Sequence, residues 1–197
     1  MIPQIFNRFR RLFLVEPNLR NHLVNLRNQT QKAILQKSSN LMKWVVKAIA
    51  TVGGVGYLPV APGTAGSFVG FLVGYLVVSW GSPPLQLLSL AVTFLVSVVV
   101  STAAERLFAT HDPVCVVIDE VWGMWAVMTA VPLVCQVPWL AALAFGLFRV
   151  FDIAKPPPLK WLARAPGGLG IVLDDAGAAA YTVGALWVIV AVIRPPI

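Results

Sequence analysis

The chain has 197 residues, of which 58% are apolar and only 12% charged, against about a quarter charged in ordinary soluble domains. One water-soluble domain of this length could not bury that much apolar surface, so the composition excludes a soluble globular enzyme and points to a body solvated by lipid. The net charge of +7 is unevenly placed: through Lys47 there are nine Lys/Arg and one acid, Glu16, and beyond it six Lys/Arg and seven acids.

Residues 1–40 are read as a basic, polar N-terminal arm, amphipathic or disordered, ahead of a membrane-embedded domain over 41–197. The arm holds no apolar run of signal-peptide type, although an Arg-rich, acid-poor stretch also has transit-peptide composition. Met42 offers an alternative start for the body. Beside a membrane body the simplest partner for the arm is anionic lipid headgroups rather than nucleic acid, at roughly 1 kcal/mol per basic residue near the surface.

Five apolar segments follow, roughly Ser67–Trp80, Leu85–Ala104, Val121–Cys135, Trp139–Phe151 and Ala176–Ile193, and they predict an all-α, polytopic membrane bundle. Gly81-Ser82-Pro83-Pro84 and Gln136-Val137-Pro138 are short, uncharged separators. The stretches Gly53–Gly66, Glu105–Glu120 and Asp152–Asp175 carry nearly all remaining charges and motifs. Strict alternation puts these three stretches and the arm on one side, and the short turns with Arg194-Pro195-Pro196-Ile197 on the other. Lys155, Lys160 and Arg164, with the arm, mark the first side as cytoplasmic, which predicts a multi-pass membrane protein with the charged stretches on that face. Two segments, Ser67–Trp80 and Trp139–Phe151, span only about 20 Å against a core of about 30 Å, and the alternation fails if the latter does not cross.

Seven of the eight acids fall between Glu105 and Asp175. A carboxylate at mid-membrane costs about 2.5–3.5 kcal/mol even on insertion scales, so the topology places them at helix ends, where crowding still raises their pKa values unless a cation is present. The doublets Asp119-Glu120 and Asp174-Asp175 have few bases near them in sequence, and a divalent ion offsets both burial and repulsion. All-oxygen donors suit Mg²⁺, Ca²⁺ or Mn²⁺. Zinc is disfavoured, because the histidines are only His22 and His111 and the two cysteines, Cys115 and Cys135, lack ligand spacing. The plain alternative is ion pairing: Arg149 and Lys155 each stand three residues from Asp152. Gly123, one turn beyond the first doublet, leaves space for a ligand or for close helix packing.

Ala61-Pro62-Gly63-Thr64-Ala65-Gly66-Ser67 precedes an apolar helix, where free backbone N–H groups and the hydroxyls of Thr64 and Ser67 suit an anion. Ordinary helix capping is the competing explanation. Phe148-Arg149-Val150-Phe151-Asp152-Ile153-Ala154-Lys155-Pro156 ends a helix, and its Arg and Lys suit a phosphate monoester. Gly167-Gly168-Leu169-Gly170 reads as a flexible turn before Asp174-Asp175. No Arg follows either Cys at cysteine-phosphatase spacing, and no Gly-x-Ser-x-Gly elbow occurs.

Taken in order, four blocks resemble the phosphatidylglycerophosphatase A family of bacterial membrane lipid phosphatases. They are Leu58–Ser67, His111-Asp112 with Ile118–Trp125, Phe148–Pro156 and Gly167–Asp175, and the match runs from about Ala50 to Val190. The resemblance implies Mg²⁺-dependent hydrolysis of phosphatidylglycerophosphate to phosphatidylglycerol and phosphate, in phospholipid biosynthesis, at the cytoplasmic face of a bacterial inner membrane. It implies that the acids of these blocks serve the metal and the reaction. The chain departs from the family in its polar arm and in Ala176-Gly177-Ala178-Ala179 after the second doublet, which bears on how the last helix packs.

The resulting expectation is a site with Asp119, Glu120, Asp152, Asp174 and Asp175 as metal-binding and catalytic acids. Thr64, Ser67, Arg149 and Lys155 bind the substrate phosphate. Whether a carboxylate activates water or attacks phosphorus stays open. Two alternatives remain: a carboxylate-lined cation or proton transporter, which predicts acids near mid-helix, and the same phosphatase chemistry on another lipid phosphate.

Overall fold

The computed structural model describes residues 2–193, with side chains from residue 19 onward. Arg194–Ile197, expected on the far side, lie outside the described residues. Among the described residues every regular element is helical: α1 (Ile2–Ala50), α2 (Pro62–Trp80), α3 (Pro83–Phe108), α4 (Ile118–Ala130), α5 (Pro138–Ala154), the short α6 (Leu159–Leu162) and α7 (Gly168–Ile193). The all-α, multi-helix membrane fold predicted from the apolar segments is therefore what forms. The chain divides into two units, Met1–Trp44 and Val45–Ile197.

Within the first unit, α1 is amphipathic. Leu19, Leu23, Leu26, Ile34, Leu41 and Trp44 are all exposed and recur at one- or two-turn intervals, so they share one stripe. Arg20 and Arg27 flank that stripe, and Lys32 and Lys43 lie on the opposite face.

In the second unit, α2, α3 and α7 are long and apolar enough to cross a membrane. Helices α4 and α5 have 13 and 17 residues, short of the roughly 20 that a crossing needs. The sequence expected one helix over Val121–Cys135. It stops at Ala130 because Pro132 lacks an amide donor, and a 3₁₀ turn over Pro132–Cys135 carries the chain to α5. Large side chains such as Leu72, Leu95, Val99, Val188 and Val192 stay exposed, a surface that a bilayer solvates and water does not.

Lipid supplies no hydrophobic force between helices, so small residues and backbone approach decide the packing. Helix α2 presents Gly63, Gly66, Gly70 and Gly74 along one face. A Cβ at Gly66 would sit 2.8 Å from the Cβ of Val117, one at Gly70 would run into the backbone of Val121, and one at Gly74 would be 3.2 Å from the Cα of Trp125. Helices α2 and α4 thus meet nearly backbone to backbone. Helix α4 is tied to α3 by the Trp122 indole, whose Nε1 donates to the carbonyl of Leu90 at 2.9 Å. The α7 start is pinned to α3: the Gly168 amide donates to Thr102 Oγ1 at 3.0 Å, and that hydroxyl donates to the Val98 carbonyl at 2.7 Å. Met124, Val127, Met128, Phe148, Ala178 and Leu186 fill the centre between α4, α5 and α7.

Two sequence expectations change here. Helix α2 begins at Pro62 rather than Ser67, since proline at the first helical position is preorganised for the turn; Thr64 and Ser67 are helical residues, not loop residues. Helix α7 begins at Gly168 rather than Ala176, so Asp174 and Asp175 lie about two turns inside a helix and not at its mouth.

The glycine seam can be tested by alanine substitution. Gly70→Ala is expected to lower the thermal midpoint of the purified protein, by about 1–3 kcal/mol of overpacking. Gly146→Ala, where an added Cβ meets nothing within 4 Å, should raise stability by up to about 1 kcal/mol of helix propensity. Equal effects in thermal unfolding would refute the seam.

Candidate active site

Three helices deliver the acids and cations to one place. Asp119 and Glu120 stand in the first turn of α4, Arg149 and Asp152 in the last turns of α5, and Asp174 and Asp175 inside α7. Asp119, Asp174 and Asp175 are only 6%, 4% and 3% exposed. Carboxylate oxygens of Asp119, Glu120 and Asp175 lie within 4.8 Å of one another, and so do those of Asp152, Asp174 and Asp175. All five acids singled out in the sequence thus converge.

The two cations are bound into the cluster. Arg149 Nη1 donates to Asp152 Oδ2 at 2.6 Å and to Ser67 Oγ at 3.2 Å, linking α5 to α2. The Ser67 hydroxyl itself donates to the Gly63 carbonyl at 2.9 Å. Lys155 Nζ donates to Asp174 Oδ2. Lys155 ends α5 in the left-handed region at φ 45°, a conformation that costs a residue with a Cβ about 1–2 kcal/mol. Pro156 blocks continuation of the helix, and the pairing with Asp174 holds the lysine in that turn. Burial opposes the charge on Lys155, but the hydrogen bond and charge of Asp174, with Asp152 and Asp112 also contributing, outweigh it and raise its pKa above the ordinary lysine value.

Gly63 brings α2 into the site. A Cβ there would strike Glu120 Oε1 and stand 3.2 Å from Arg149 Nη2. Gly123 makes room differently from the open space considered in the sequence: an added Cβ would lie 2.7 Å from Phe148 and 3.3 Å from the Asp175 Cβ, so its smallness serves close helix packing. Thr64 is half-buried on the first turn of α2, and no hydrogen bond among the described residues joins it to the acids or cations. His111-Asp112 belongs to the second block but is not among the residues expected in the site. In the structure His111 Nδ1 pairs with Glu105 Oε1, and the Asp112 amide donates to the same oxygen at 3.4 Å. This fastens the turn that carries Asp112 beside the site, a connection back to the last turn of α3 that no periodicity announces.

The residues fit a hard divalent cation. Asp119 Oδ1, Glu120 Oε2, Asp174 Oδ1 and Asp175 Oδ2 are buried with no hydrogen-bond donor, a state that costs more for charged oxygens than for neutral ones. Every candidate donor is a carboxylate, as hard cations prefer. His111 is exposed and engaged with Glu105, and Cys115 and Cys135 are free. The arrangement is that of a helical membrane protein with a buried acid cluster fit for a metal, edged by an arginine and a lysine.

Comparison with known proteins agrees with that class. The description "Phosphatidylglycerophosphatase A" belongs to the family that matches residues 48–190. The chain is 34% identical over 139 residues to phosphatidylglycerophosphatase A of Haemophilus influenzae, covering 70% of this chain and 84% of that one. It is 35% identical over 139 residues to the Escherichia coli protein of the same name, covering 69% and 78%. It is also 34% identical over 154 residues, 74% of this chain and 91% of the relative, to a Bacteroides thetaiotaomicron protein named "Putative phosphatidylinositol-3-phosphatase". No solved structure matches the chain. The chain belongs to the phosphatidylglycerophosphatase A family and is a phosphatase.

Gly63→Ala separates site from scaffold. Alanine favours the helix by up to about 1 kcal/mol, while its methyl group displaces Glu120. Thermal stability is expected to hold or rise while phosphate release falls about ten- to a hundredfold, the scale of a misplaced catalytic group. Unchanged activity would show that Glu120 is not needed where it stands.

Proposed function

We propose that the protein hydrolyses phosphatidylglycerophosphate to phosphatidylglycerol and inorganic phosphate, with Mg²⁺, as a step of phospholipid biosynthesis. The observation that carries this reading is the convergence of buried, donor-less carboxylate oxygens with Arg149 and Lys155 in a chain of this family. Asp119, Glu120, Asp152, Asp174 and Asp175 would hold the metal. When bound, the ion supplies positive charge to the phosphoryl oxygens and makes a ligated water more acidic.

The chain's own groups do the rest. Arg149 offers Nε, buried and without a partner, and Lys155 offers its ammonium, both within reach of a phosphate drawn to the cluster. The first turn of α2 adds backbone N–H groups with Thr64 and Ser67 beside them, an anion-favouring helix start. A carboxylate takes a proton from the attacking water or attacks phosphorus itself. The bond to the glycerol oxygen breaks, and that oxygen takes a proton from the protonated carboxylate or from water. Where a carboxylate attacked, water then cleaves the acyl phosphate and releases inorganic phosphate. Donors fixed before the reaction stabilise the charge that builds on the phosphoryl oxygens.

Position within α7 does not by itself separate this reading from ion transport, since Asp174 and Asp175 lie inside a membrane helix. The paired cations favour an anionic substrate over a permeant cation. A second substrate, a phosphoinositide, has in its favour the name of the Bacteroides relative. Purified protein given phosphatidylglycerophosphate, phosphatidylinositol 3-phosphate and phosphatidic acid in turn is expected to release phosphate fastest from the first, and to stop in EDTA. Asp119→Asn and Asp175→Asn should each lose most activity. Release that ignores EDTA, or full activity in both variants, would refute the site.

The location proposed is a bacterial inner membrane, crossed several times, with the site on the cytoplasmic face and the basic arm against anionic headgroups. In a cysteine-free background, Ser82→Cys and Arg164→Cys should react with an impermeant maleimide from opposite faces. Labelling of both from one face would overturn that topology.

A further inference from the structure

We propose that the five acids form two cation sites sharing Asp175, which deepens the metal-dependent reading above and rests on it. The geometry divides the cluster in this way: Asp119, Glu120 and Asp175 make one triad, Asp152, Asp174 and Asp175 the other, each with ligand oxygens within 4.8 Å of one another. Asp175 belongs to both because α7 passes α4 on one side and α5 on the other. A second, independent observation points to ligands in each triad. Asp119 Oδ1 in the first, Asp174 Oδ1 in the second and Asp175 Oδ2 in both are buried without a donor, on residues 6%, 4% and 3% exposed.

Charge calls for the second ion. Arg149 and Lys155 offset two of the five negative charges, and one divalent cation offsets two more. A phosphate monoester then brings about −1.5 to −2, and a second divalent cation restores near-neutrality in a low-dielectric pocket. When bound, a pair of ions sharing Asp175 would supply positive charge for the oxygens of a phosphoryl transfer.

The two sites differ in strength. In the second triad, Asp152 is held by Arg149 and Asp174 by Lys155, so an ion there competes with two side-chain cations. In the first triad only Glu120 lies near a cation, Arg149, across the space above Gly63. The first triad is the tight site and the second the weak one. An incoming phosphate draws Arg149 and Lys155 toward its own oxygens and releases Asp152 and Asp174 to the second ion.

The test is Mn²⁺ binding to the full-length protein in detergent, followed by equilibrium dialysis and by electron paramagnetic resonance. Two Mn²⁺ per chain are expected, the second about tenfold weaker, with the broadened spectrum of coupled ions at saturation. Lys155→Met should tighten the weak site about tenfold, the worth of one charged hydrogen bond, and inorganic phosphate should tighten it in the wild type. Asp119→Asn should abolish the tight site, and Asp175→Asn should weaken both. The wild-type count and the Lys155→Met shift decide the matter even if an acid variant fails to fold. One Mn²⁺ per chain at saturation would overturn the proposal, and so would loss of a single ion in a folded Asp175→Asn. Phosphate release with one ion defeats the two-site proposal and leaves the phosphatase reading intact; two ions without release from any lipid does the reverse.

Discussion

Negative charge buried among apolar helices governs this molecule. Each of the five carboxylates would be costly alone at membrane depth, and together they repel. The fold meets this by placing two cations among them, Arg149 on Asp152 and Lys155 on Asp174, and by leaving a deficit that a bound divalent cation would offset. Replacing the acids by apolar residues would relieve the repulsion, as it often does for buried ion pairs. Their presence in an otherwise apolar interior is therefore a matter of chemistry rather than of stability.

The scaffold around that charge is built from what is missing at glycine positions. Gly63, Gly66, Gly70 and Gly74 bring α2 against α4, Gly123 admits Phe148 beside Asp175, and Gly168 lets α7 touch α3. Gly177, part of the departure Ala176-Gly177-Ala178-Ala179, faces Leu159 and Leu162, so the altered order after Asp175 is matched by the short helix α6 packed on it. Large residues on the outer faces do little to set these distances, because lipid is as good a neighbour for them as protein.

Much of this was legible in the sequence. Apolar runs located the helices of the body, and the acids that are rare in such a chain are the ones the fold brings together. The errors have physical causes. A hydropathy pattern does not register Pro62-Gly63-Thr64-Ala65-Gly66 as helix, although proline starts one readily. Likewise Gly167-Gly168-Leu169-Gly170 looked like a turn, and Asp174 and Asp175 looked like residues at a helix end. The break at Pro132 was hidden by the apolar residues on both sides of it. What no pattern could supply is the division of the acids into triads, since Asp119 and Asp175 are far apart in the chain and meet only once α4 and α7 cross. Thr64, chosen for its hydroxyl beside glycines, has no hydrogen bond to the cluster.

The seam between α2 and α4 also makes the pair a single mechanical piece. With backbones in contact from Gly66 to Gly74, neither helix can turn about its axis or slide without a clash, yet both can lean together. Bilayers differ in thickness, and membrane helices adapt to them chiefly by tilting. Here such tilting would carry Gly63, Ser67, Asp119 and Glu120 as one body. The same seam that allows close approach thus shields this half of the site from the thickness of the membrane around it.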